Sequence, residues 1–338
     1  MRVALIGLGM VADTHVAAIR DASPQLTLHG VLGRTQDSTQ AYAQKHATRG
    51  YASLDDLAGD SDVDFVILAT PPDARLPVVQ TLAAAGKPIL MEKPIERDLA
   101  TATQIVALCE QAKIPLGVVF QHRVRQASVA LKEAIEAGDL GTIATVDLRV
   151  PWWRDQRYYD APRRGTYARD GGGVMISQAI HTLDLAMWLL GPITSVQAMM
   201  RKTPLHSMEA EDWAGALFEM QNGAIGTMMA TTAAYPGGAE TITVQGTRAS
   251  AHLGSGVLTL SRLDGTTEVF GATTSTGGGA DPMAFTHAWH QSVIEDFARA
   301  IANSTPSPIP AAEALRTHAV IDAMQTASRT AHREKVHL

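Results

Sequence analysis

A glycine-rich turn directly after the first apolar run is the feature that most limits how this chain can fold. Residues 3–6 are all apolar, as expected of a strand covered on both faces. The next six residues read G-x-G-x-x-A, and a helical pattern begins at Asp13. In such a turn the glycines allow a tight bend and bring backbone N–H groups close to a pyrophosphate. The sequence therefore predicts a dinucleotide-binding turn with contacts from Gly7, Leu8, Gly9, Met10 and Val11.

Strand and helix patterns then alternate through the first third of the chain. Strands are predicted at 26–32, 63–68, 88–91 and 116–120, and helices at 75–85 and 99–111. This alternation predicts a doubly wound parallel sheet with helices on both faces, which is a Rossmann domain. We place the domain boundary near residue 122, so the predicted domains are 1–121 and 122–338.

The residues after the second strand bear on the choice of cofactor. An acidic residue here would bind the ribose 2′-hydroxyl of NAD. The sequence instead has Gly33, Arg34 and Thr35, with no acid until Asp37. An arginine and a hydroxyl suit a 2′-phosphate, so we predict NADP in preference to NAD. The alternative is a solvated loop arginine.

A single lysine ends the apolar run at 89–91, in the triplet Glu92-Lys93-Pro94. The carboxyl end of a buried parallel strand faces the crevice in which cofactors bind. A lysine there can bind a ligand, orient it, or transfer a proton if its surroundings lower its pKa. Taken alone, Lys93 is more often a solvated lysine in a strand-to-helix turn.

The second domain reads as α+β. A helix is predicted at 126–137 and a strand at 141–150, followed by seven strand-like segments between 194 and 270. Helices are predicted at 284–302 and 311–331. The succession of strands predicts a large, mainly antiparallel open sheet with one face against helices.

The loop at 152–169 is dense in aromatic residues and arginines, among them Trp152, Arg154 and Arg164. Rings can cover the C–H faces of a sugar, and guanidinium groups can bind hydroxyls or a carboxylate. The same composition is typical of an ordered surface loop or of an oligomer interface. The sequence leaves both interpretations open.

Three glycines at 171–173 precede a predicted helix that continues to Leu190. Ser177 and His181 are four residues apart and so share one face of that helix. Asp184 follows His181 by three residues and could orient its imidazole. On periodicity alone, His181 is more often a structural histidine than a catalytic one.

Taken together, the turn at 7–12, the segment at 69–72 and the triplet at 92–94 resemble the Gfo/Idh/MocA oxidoreductases. The resemblance implies hydride transfer with a nicotinamide cofactor and makes Lys93, His181 and Ser177 the candidate catalytic residues. Ser177 departs from the family pattern, which has Asp or Asn there. Arg75 stands where many members have a histidine.

The resemblance extends the candidate sites and implies a substrate. Further cofactor contacts are expected from Thr70, Pro71, Glu92, Lys93, Pro94 and Gln121. Substrate contacts are expected from Lys93, Arg123, Trp152, Arg154, Arg164, Ser177, Gln178 and His181. The expected substrate is a sugar, polyol or sugar acid, and the expected assembly is a homodimer or homotetramer. An aromatic dihydrodiol or other cyclic substrate, or a cofactor-binding regulator without catalysis, are the alternatives.

Composition excludes several other classes of partner. The formal net charge is -6 and the pI about 6.0, so no basic field is available for nucleic acid or an anionic membrane. We predict no bound metal ion. Cys109 is the single cysteine, which fits a reducing compartment. With no targeting segment in view, we expect the cytoplasm.

Overall fold

The computed structural model describes residues 1–275, 277–279 and 281–337. They form two compact units, one made of 1–121 with 287–315 and the other of 122–286 with 316–338. The first unit is built on a six-stranded parallel sheet in the order β3-β2-β1-β4-β5-β6. Its strands are β1 (Arg2–Ile6), β2 (Thr27–Leu32), β3 (Arg49–Gly50), β4 (Phe65–Leu68), β5 (Ile89–Glu92) and β6 (Leu116–Val119).

This strand order is that of a doubly wound fold, and it reverses direction between β1 and β4. Every residue of β4, β5 and β6 is buried, which accounts for the absence of polar side chains from these strands apart from Glu92 at the end of β5. The helices that follow the strands are α1 (Ala12–Asp21), α2 (Gln36–His46), α3 (Leu54–Ala58), α4 (Arg75–Ala84) and α5 (Leu99–Gln111). The carboxyl ends of β1 and β4 therefore frame the crevice where this class of sheet binds ligands.

The second unit is built on a nine-stranded sheet in the order β14-β13-β12-β11-β7-β10-β9-β8-β15. Neighbours pair antiparallel except for β7 and β10, which run parallel. Its strands are β7 (Ile143–Pro151), β8 (Ile193–Arg201), β9 (Trp213–Met220), β10 (Ile225–Thr231), β11 (Thr241–Gly246), β12 (Ala249–Gly254), β13 (Val257–Arg262), β14 (Thr267–Gly271) and β15 (Glu334–Lys335). The predicted α+β class with a large, mainly antiparallel sheet is confirmed.

Two helices pack against this second sheet: α6 (Gln126–Glu136) contacts β12, β13 and β14, and α9 (Ile180–Leu190) contacts β7 and β11. Two short helices, α7 (Gln156–Tyr159) and α8 (Tyr167–Asp170), lie between β7 and α9 along the chain. A π-helical turn, Met175–Ala179, leads directly into α9. The stretch Tyr167–Leu190 is apolar and long enough to cross a bilayer, but its most apolar window is 89% buried inside the protein, as in a core helix.

The last two long helices change the predicted division of the chain. They are α10 (Ala288–Ala302) and α11 (Ala311–Thr330). The ring of Phe297 on α10 packs edge-on against Phe65 of β4, with 5.5 Å between ring centroids. The backbone N–H of Val118 also donates to the carbonyl of Ile309 at 3.1 Å. The boundary at 121/122 coincides with a unit boundary, but residues 287–315 belong to the first unit, because aromatic packing and backbone hydrogen bonds attach them there.

Candidate functional site

The turn after β1 has the geometry that a phosphate-binding turn requires. Gly7 has φ +98°, and a Cβ on it would lie 2.6 Å from the backbone N of Thr70, so only glycine fits. A Cβ on Gly9 would meet no atom within 4 Å in the described part of the chain. Val11 caps α1 without a side-chain hydrogen bond. The N–H of Ala12 donates to the carbonyl of Gly9 at 3.1 Å, so the N–H groups of the next residues of α1 are the ones that could bind a pyrophosphate at this helix N-terminus.

Two buried polar atoms lie at the carboxyl ends of two strands of this sheet, on either side of β5. They are Oγ1 of Thr70, which follows β4, and Oε1 of Gln121, which follows β6. Within the described residues neither atom has a hydrogen-bond partner. Buried polar atoms are rarely left unpaired in folded proteins. Both residues were predicted to contact the cofactor, and ligand groups would satisfy these two atoms, so this edge of the sheet fits a nicotinamide dinucleotide.

The residues after β2 are used partly by the fold itself. The Thr35 side chain caps α2 by accepting from the backbone N–H of Ser38. The backbone N–H of Gly33 donates to Oγ1 of Thr39 at 2.9 Å, and a Cβ at Gly33 would lie 2.9 Å from the Ser38 hydroxyl. Close contact with α2 therefore explains the glycine and the threonine without a ligand. Arg34 is exposed, so among residues 33–35 it is the candidate to recognise a ligand.

Glu92 lies in a buried cluster with two histidines of its own unit. Its Oε1 is 2.9 Å from Nε2 of His15 on α1 and 3.6 Å from Nε2 of His290 on α10. Burial alone would raise the pKa of Glu92, but hydrogen bonds from His15 and His290 outweigh it and hold that pKa well below its usual range. Glu92 is therefore an ionised anchor between strand and helices, immediately before Lys93.

His15, Glu92 and His290 also place one possible metal-ligand atom each within 4.8 Å of the others. The shortest separation, 2.9 Å, is that of a hydrogen bond. The absence of a metal stays a prediction. Lys93 itself is half-buried at the end of β5.

At the start of the helical segment that carries Ser177 and His181, backbone N–H groups bind a buried carboxylate. The backbone N–H groups of Gly173 and Met175 donate to the two oxygens of Glu211, at 3.0 and 3.1 Å. A Cβ on Gly173 would lie 1.7 Å from the carbonyl oxygen of Glu211, so this glycine is obligatory. The glycines thus bring the backbone against Glu211 of the same unit. A sequence motif could not have identified this partner, since it is 38 residues away.

His181 is 5% exposed, and its ring stacks on that of His122 with centroids 4.7 Å apart. Asp184, which was expected to orient His181, binds the guanidinium of Arg123 through both carboxylate oxygens, at 2.8 and 2.7 Å. Arg123 was expected to contact substrate. In the structure its guanidinium binds the buried carboxylate of Asp184. Ser177 lies within the π-helical turn, a feature frequent at functional sites.

The predicted substrate residues of the aromatic loop fall into two groups. Trp152 is buried and its Nε1 donates to Glu240 at 3.2 Å. Arg154 is buried and donates to the carbonyls of Trp153, Gly277 and Gly279 at 2.5–2.7 Å. These contacts belong to the interior of the second unit.

Arg164 is half-buried and lies 4.4 Å over the ring of Tyr158. The hydroxyl of Tyr158 accepts from the side-chain amide of Gln178 at 3.3 Å. Arg164 and Tyr158 of the loop thus contact one another and Gln178 of the π-helical turn, and the buried Oε1 of Gln178 has no hydrogen-bond partner among the described residues.

Two family models match the chain. Residues 1–120 match the NAD-binding Rossmann fold of an oxidoreductase family, and residues 128–252 match the GFO/IDH/MocA C-terminal domain. The chain belongs to the Gfo/Idh/MocA family. The first matched segment lies in the first unit and the second matched segment in the second unit.

Characterised members of the Gfo/Idh/MocA family resemble parts of this chain. The rhizopine catabolism protein MocA of Rhizobium meliloti is 26% identical over 56% of the chain and 57% of its own length. Inositol 2-dehydrogenase of Rhizobium meliloti (strain 1021) is 27% identical over 56% of the chain and 55% of its length. The chain thus matches little more than half the length of these relatives.

A solved structure matches the whole chain. The WlbA dehydrogenase of Bordetella pertussis, in complex with NADH and UDP-GlcNAcA, superposes with a TM-score of 0.85 at 28% identity. The match covers 100% of this chain and 99% of the other. The Rossmann unit and the large-sheet unit both have counterparts in this family member.

Proposed function

We propose that this protein is a nicotinamide-dependent oxidoreductase that acts on a CH–OH or carbonyl carbon of a sugar, polyol or sugar acid. One observation carries the proposal: an open glycine turn and two buried polar atoms, at Thr70 and Gln121, lie at the carboxyl edge of one parallel sheet, and neither atom has a hydrogen-bond partner among the described residues. Family membership supports it, as do relatives that include an inositol dehydrogenase. The cofactor supplies the hydride acceptor or donor, and the protein binds and aligns it.

The proton-transfer roles fall to Lys93 and His181. In the oxidative direction the imidazole of His181 accepts the hydroxyl proton of the substrate, since a histidine titrates near neutral pH. The ammonium of Lys93 donates a hydrogen bond to the same oxygen and offsets its developing negative charge. Ser177 contributes a hydrogen bond to a substrate hydroxyl, because a serine cannot act as a carboxylate base. In the reverse direction the same groups exchange roles.

NADP is the proposed cofactor. The exposed guanidinium of Arg34 follows β2, where a 2′-phosphate would lie in a fold of this class. The neighbouring Gly33 and Thr35 serve the start of α2 and so add no preference of their own. The WlbA structure contains NADH, so the preference at this position is a property to be measured for this chain.

A second copy of the chain is the proposed occupant of the open face of the nine-stranded sheet. Leu217 and Ile225 are 59% and 57% exposed there, and line a cavity of about 570 Å³. Glu219 and Arg333, of opposite charge, lie in contact at the same cavity. A two-fold axis would set each charge against its opposite on the partner. Exposed apolar surface of this kind is typical of an interface.

The experiment that tests the oxidoreductase proposal is a turnover assay. Purified protein is incubated with NADP or NAD and a panel of polyols, sugars, sugar acids and a nucleotide-linked sugar acid, and formation of reduced cofactor is followed by absorbance. Turnover of at least one sugar-like compound is expected. Cofactor binding without turnover across the panel would favour the regulator alternative, and turnover of an aromatic dihydrodiol alone would favour the cyclic-substrate alternative. Sedimentation velocity on wild type and Leu217→Glu tests the proposed interface, with a smaller species expected for the variant.

A further inference from the structure

Arg75 is a buried arginine whose guanidinium binds backbone carbonyls at two neighbouring strand ends. It is the first residue of α4 and is 2% exposed. Its Nε and Nη2 donate to the carbonyl oxygen of Thr70 at 3.0 and 2.8 Å. Its Nη1 donates to the carbonyl oxygens of Glu92 and Pro94. One side chain therefore joins the turn after β4 to the triplet after β5.

The two carbonyls that Nη1 binds belong to the residues on either side of Lys93. Arg75 thus fixes the backbone immediately before and after Lys93, and holds it at a set distance from the turn that carries Thr70. A guanidinium can do this because its donors form a rigid planar fork, whereas a lysine offers one compact ammonium group. The backbone position of Lys93 is therefore set by contacts that do not involve the Lys93 side chain.

Burial of this charge is costly, which suggests a role beyond packing. Burial lowers the pKa of Arg75 to about 10, against the opposing influence of Glu92 and Glu96, so the group is still a cation at neutral pH. Well-packed apolar side chains commonly stabilise a core as well as buried charges do. The carbonyls that accept hydrogen bonds from the guanidinium all lie beside the two turns at the crevice edge of the sheet.

We propose that Arg75 is a positioning residue, which clamps the Thr70 turn to the Glu92-Lys93-Pro94 turn and so aligns Lys93 for catalysis. The proposal rests on the proposed function of Lys93. It concerns only the first unit, since Arg75 and the residues it binds all lie there.

The test is a double-mutant cycle on kcat with Arg75→Lys and Lys93→Met. A misplacement of about 1 Å can cost about 10²-fold in rate, so Arg75→Lys should lower kcat by about that factor. If Arg75 acts through Lys93, the double variant should be no slower than Lys93→Met alone, because residues that act as a unit are non-additive. Arg2→Lys is the matched control: its side chain is 46% exposed at the amino end of β1, and kcat should stay within about twofold.

A second measurement tests, without an activity assay, whether Arg75 holds the two turns together. Hydrogen exchange followed by mass spectrometry should show faster exchange in Arg75→Lys at two separate segments, 69–75 and 89–97, with the rest of the first unit unchanged. A general loosening of that unit, together with kcat losses that multiply in the double variant, would overturn the proposal and leave Arg75 as a core residue. If Arg75→Lys does not fold, Arg75→Gln enters the same cycle.

The experiments distinguish failure of the proposed function from failure of the Arg75 proposal. Wild-type kcat in Lys93→Met would remove Lys93 from the mechanism and would also overturn the alignment proposed for Arg75. Paired fast exchange at the two segments would then show a clamp with a structural role alone. Loss of kcat in Lys93→Met, with wild-type kcat and exchange in Arg75→Lys, would overturn the Arg75 proposal and leave the proposed function standing.

Discussion

The carboxylate of Asp184 holds the guanidinium of Arg123 in a two-pronged pair, at 2.8 and 2.7 Å, inside the second unit. Both side chains are almost fully buried, at 1% and 6% exposed. Asp184 lies one helical turn after His181, so this pair ties the helix that carries His181 to the segment that begins the second unit. A buried pair of this kind is costly to break, because the remaining charge stays buried and loses the two hydrogen bonds of the pair.

Removing Asp184 should therefore destabilise the protein. Asp184→Ala is expected to lower the free energy of unfolding by about 3–5 kcal/mol. Urea unfolding followed by tryptophan fluorescence is a suitable measurement, since four of the five tryptophans (152, 153, 188 and 213) belong to the second unit. Asp322→Ala, an exposed change on α11, should stay within about 0.5 kcal/mol. Equal stability of the two variants would contradict a structural role for the pair.

The fold could be predicted because its signals are local. Continuous apolar runs marked the buried parallel strands, and the limits of α5 agree to the residue with the helix predicted at 99–111. The short helices α3, α7 and α8 and the two-residue strands β3 and β15 were not predicted, because segments this short show no measurable period. The longer helix α2 was not predicted either, because only Thr39 and Ala43 of its residues are buried and its sequence is otherwise polar. The attachment of α10 to the first unit depends on contacts such as Phe297 with Phe65, which join residues far apart in sequence.

Only the part of the candidate site that belongs to a recognisable sequence motif could be located from the sequence. The glycine turn and the Glu92-Lys93-Pro94 triplet lie where expected, at the carboxyl ends of β1 and β5. The partners of the candidate residues were not predictable: Glu211 under the three glycines, His122 on His181, and the carbonyls around Arg154 all come from distant positions. Sequence spacing suggested Asp184 as an aid to His181, and gave no indication of its pair with Arg123.

Cofactor preference should depend on Arg34. If its guanidinium binds a 2′-phosphate, Arg34→Ala should raise the KM for NADP about 10- to 100-fold, the value of a hydrogen bond to a charged group. The KM for NAD should stay unchanged, which provides an internal control. Steady-state kinetics with both cofactors make the measurement. A wild-type enzyme that prefers NAD, with no effect of Arg34→Ala on NADP, would refute the assignment.

The two arginines of the aromatic loop should behave differently. Arg164 is half-buried against Tyr158, so Arg164→Ala should raise the KM for substrate and leave the KM for cofactor unchanged. Arg154 donates to three carbonyls in the interior, so Arg154→Ala should mainly lower the unfolding midpoint in urea. Kinetics and urea unfolding of both variants test this. A change confined to oligomeric state would support the interface interpretation of the loop.

Acid should destabilise the first unit through His290. Burial lowers the pKa of His290, even though Glu92 beside it acts in the opposite direction, and His15 and Lys93 lower it further. The folded histidine stays neutral, whereas the unfolded one binds a proton below its ordinary pKa of about 6.5. Stability is therefore fully present above that pH and is lost as the pH falls toward the lower pKa of the folded state.

Lowering the pH from 8 to 5.5 should reduce the free energy of unfolding through this one group. Glu92 titrates below this window, since its pKa is held well under its usual value. Urea unfolding at the two pH values, for wild type and His290→Gln, measures the difference, which the variant should reduce. Ser292→Ala, a change on the same helix without a titrating group, should keep the wild-type dependence. An equally steep dependence in His290→Gln would contradict the assignment.

Substitutions of Lys93 and of His181 should each lower kcat, and their effects should not add. Each is proposed to act on one substrate oxygen, and removal of a general acid or base typically costs about 10²–10⁴-fold in rate. Lys93→Met and His181→Ala should each lower kcat by a factor in that range. The double variant should be little slower than the slower single variant, because groups that act as a unit are non-additive. Single-turnover rates at saturating substrate make the comparison direct.

Two controls separate catalysis from binding in this experiment. Cofactor affinity should survive in His181→Ala, since His181 belongs to the second unit and the glycine turn to the first. Ser177→Ala should be milder than His181→Ala, because Ser177 offers one hydrogen bond, worth about 0.5–1.5 kcal/mol or roughly 2- to 12-fold. Near-wild-type kcat in His181→Ala would remove it as the base. Proton transfer would then fall to Lys93 or to a bound water, and the serine in place of the family's Asp or Asn would need a different explanation.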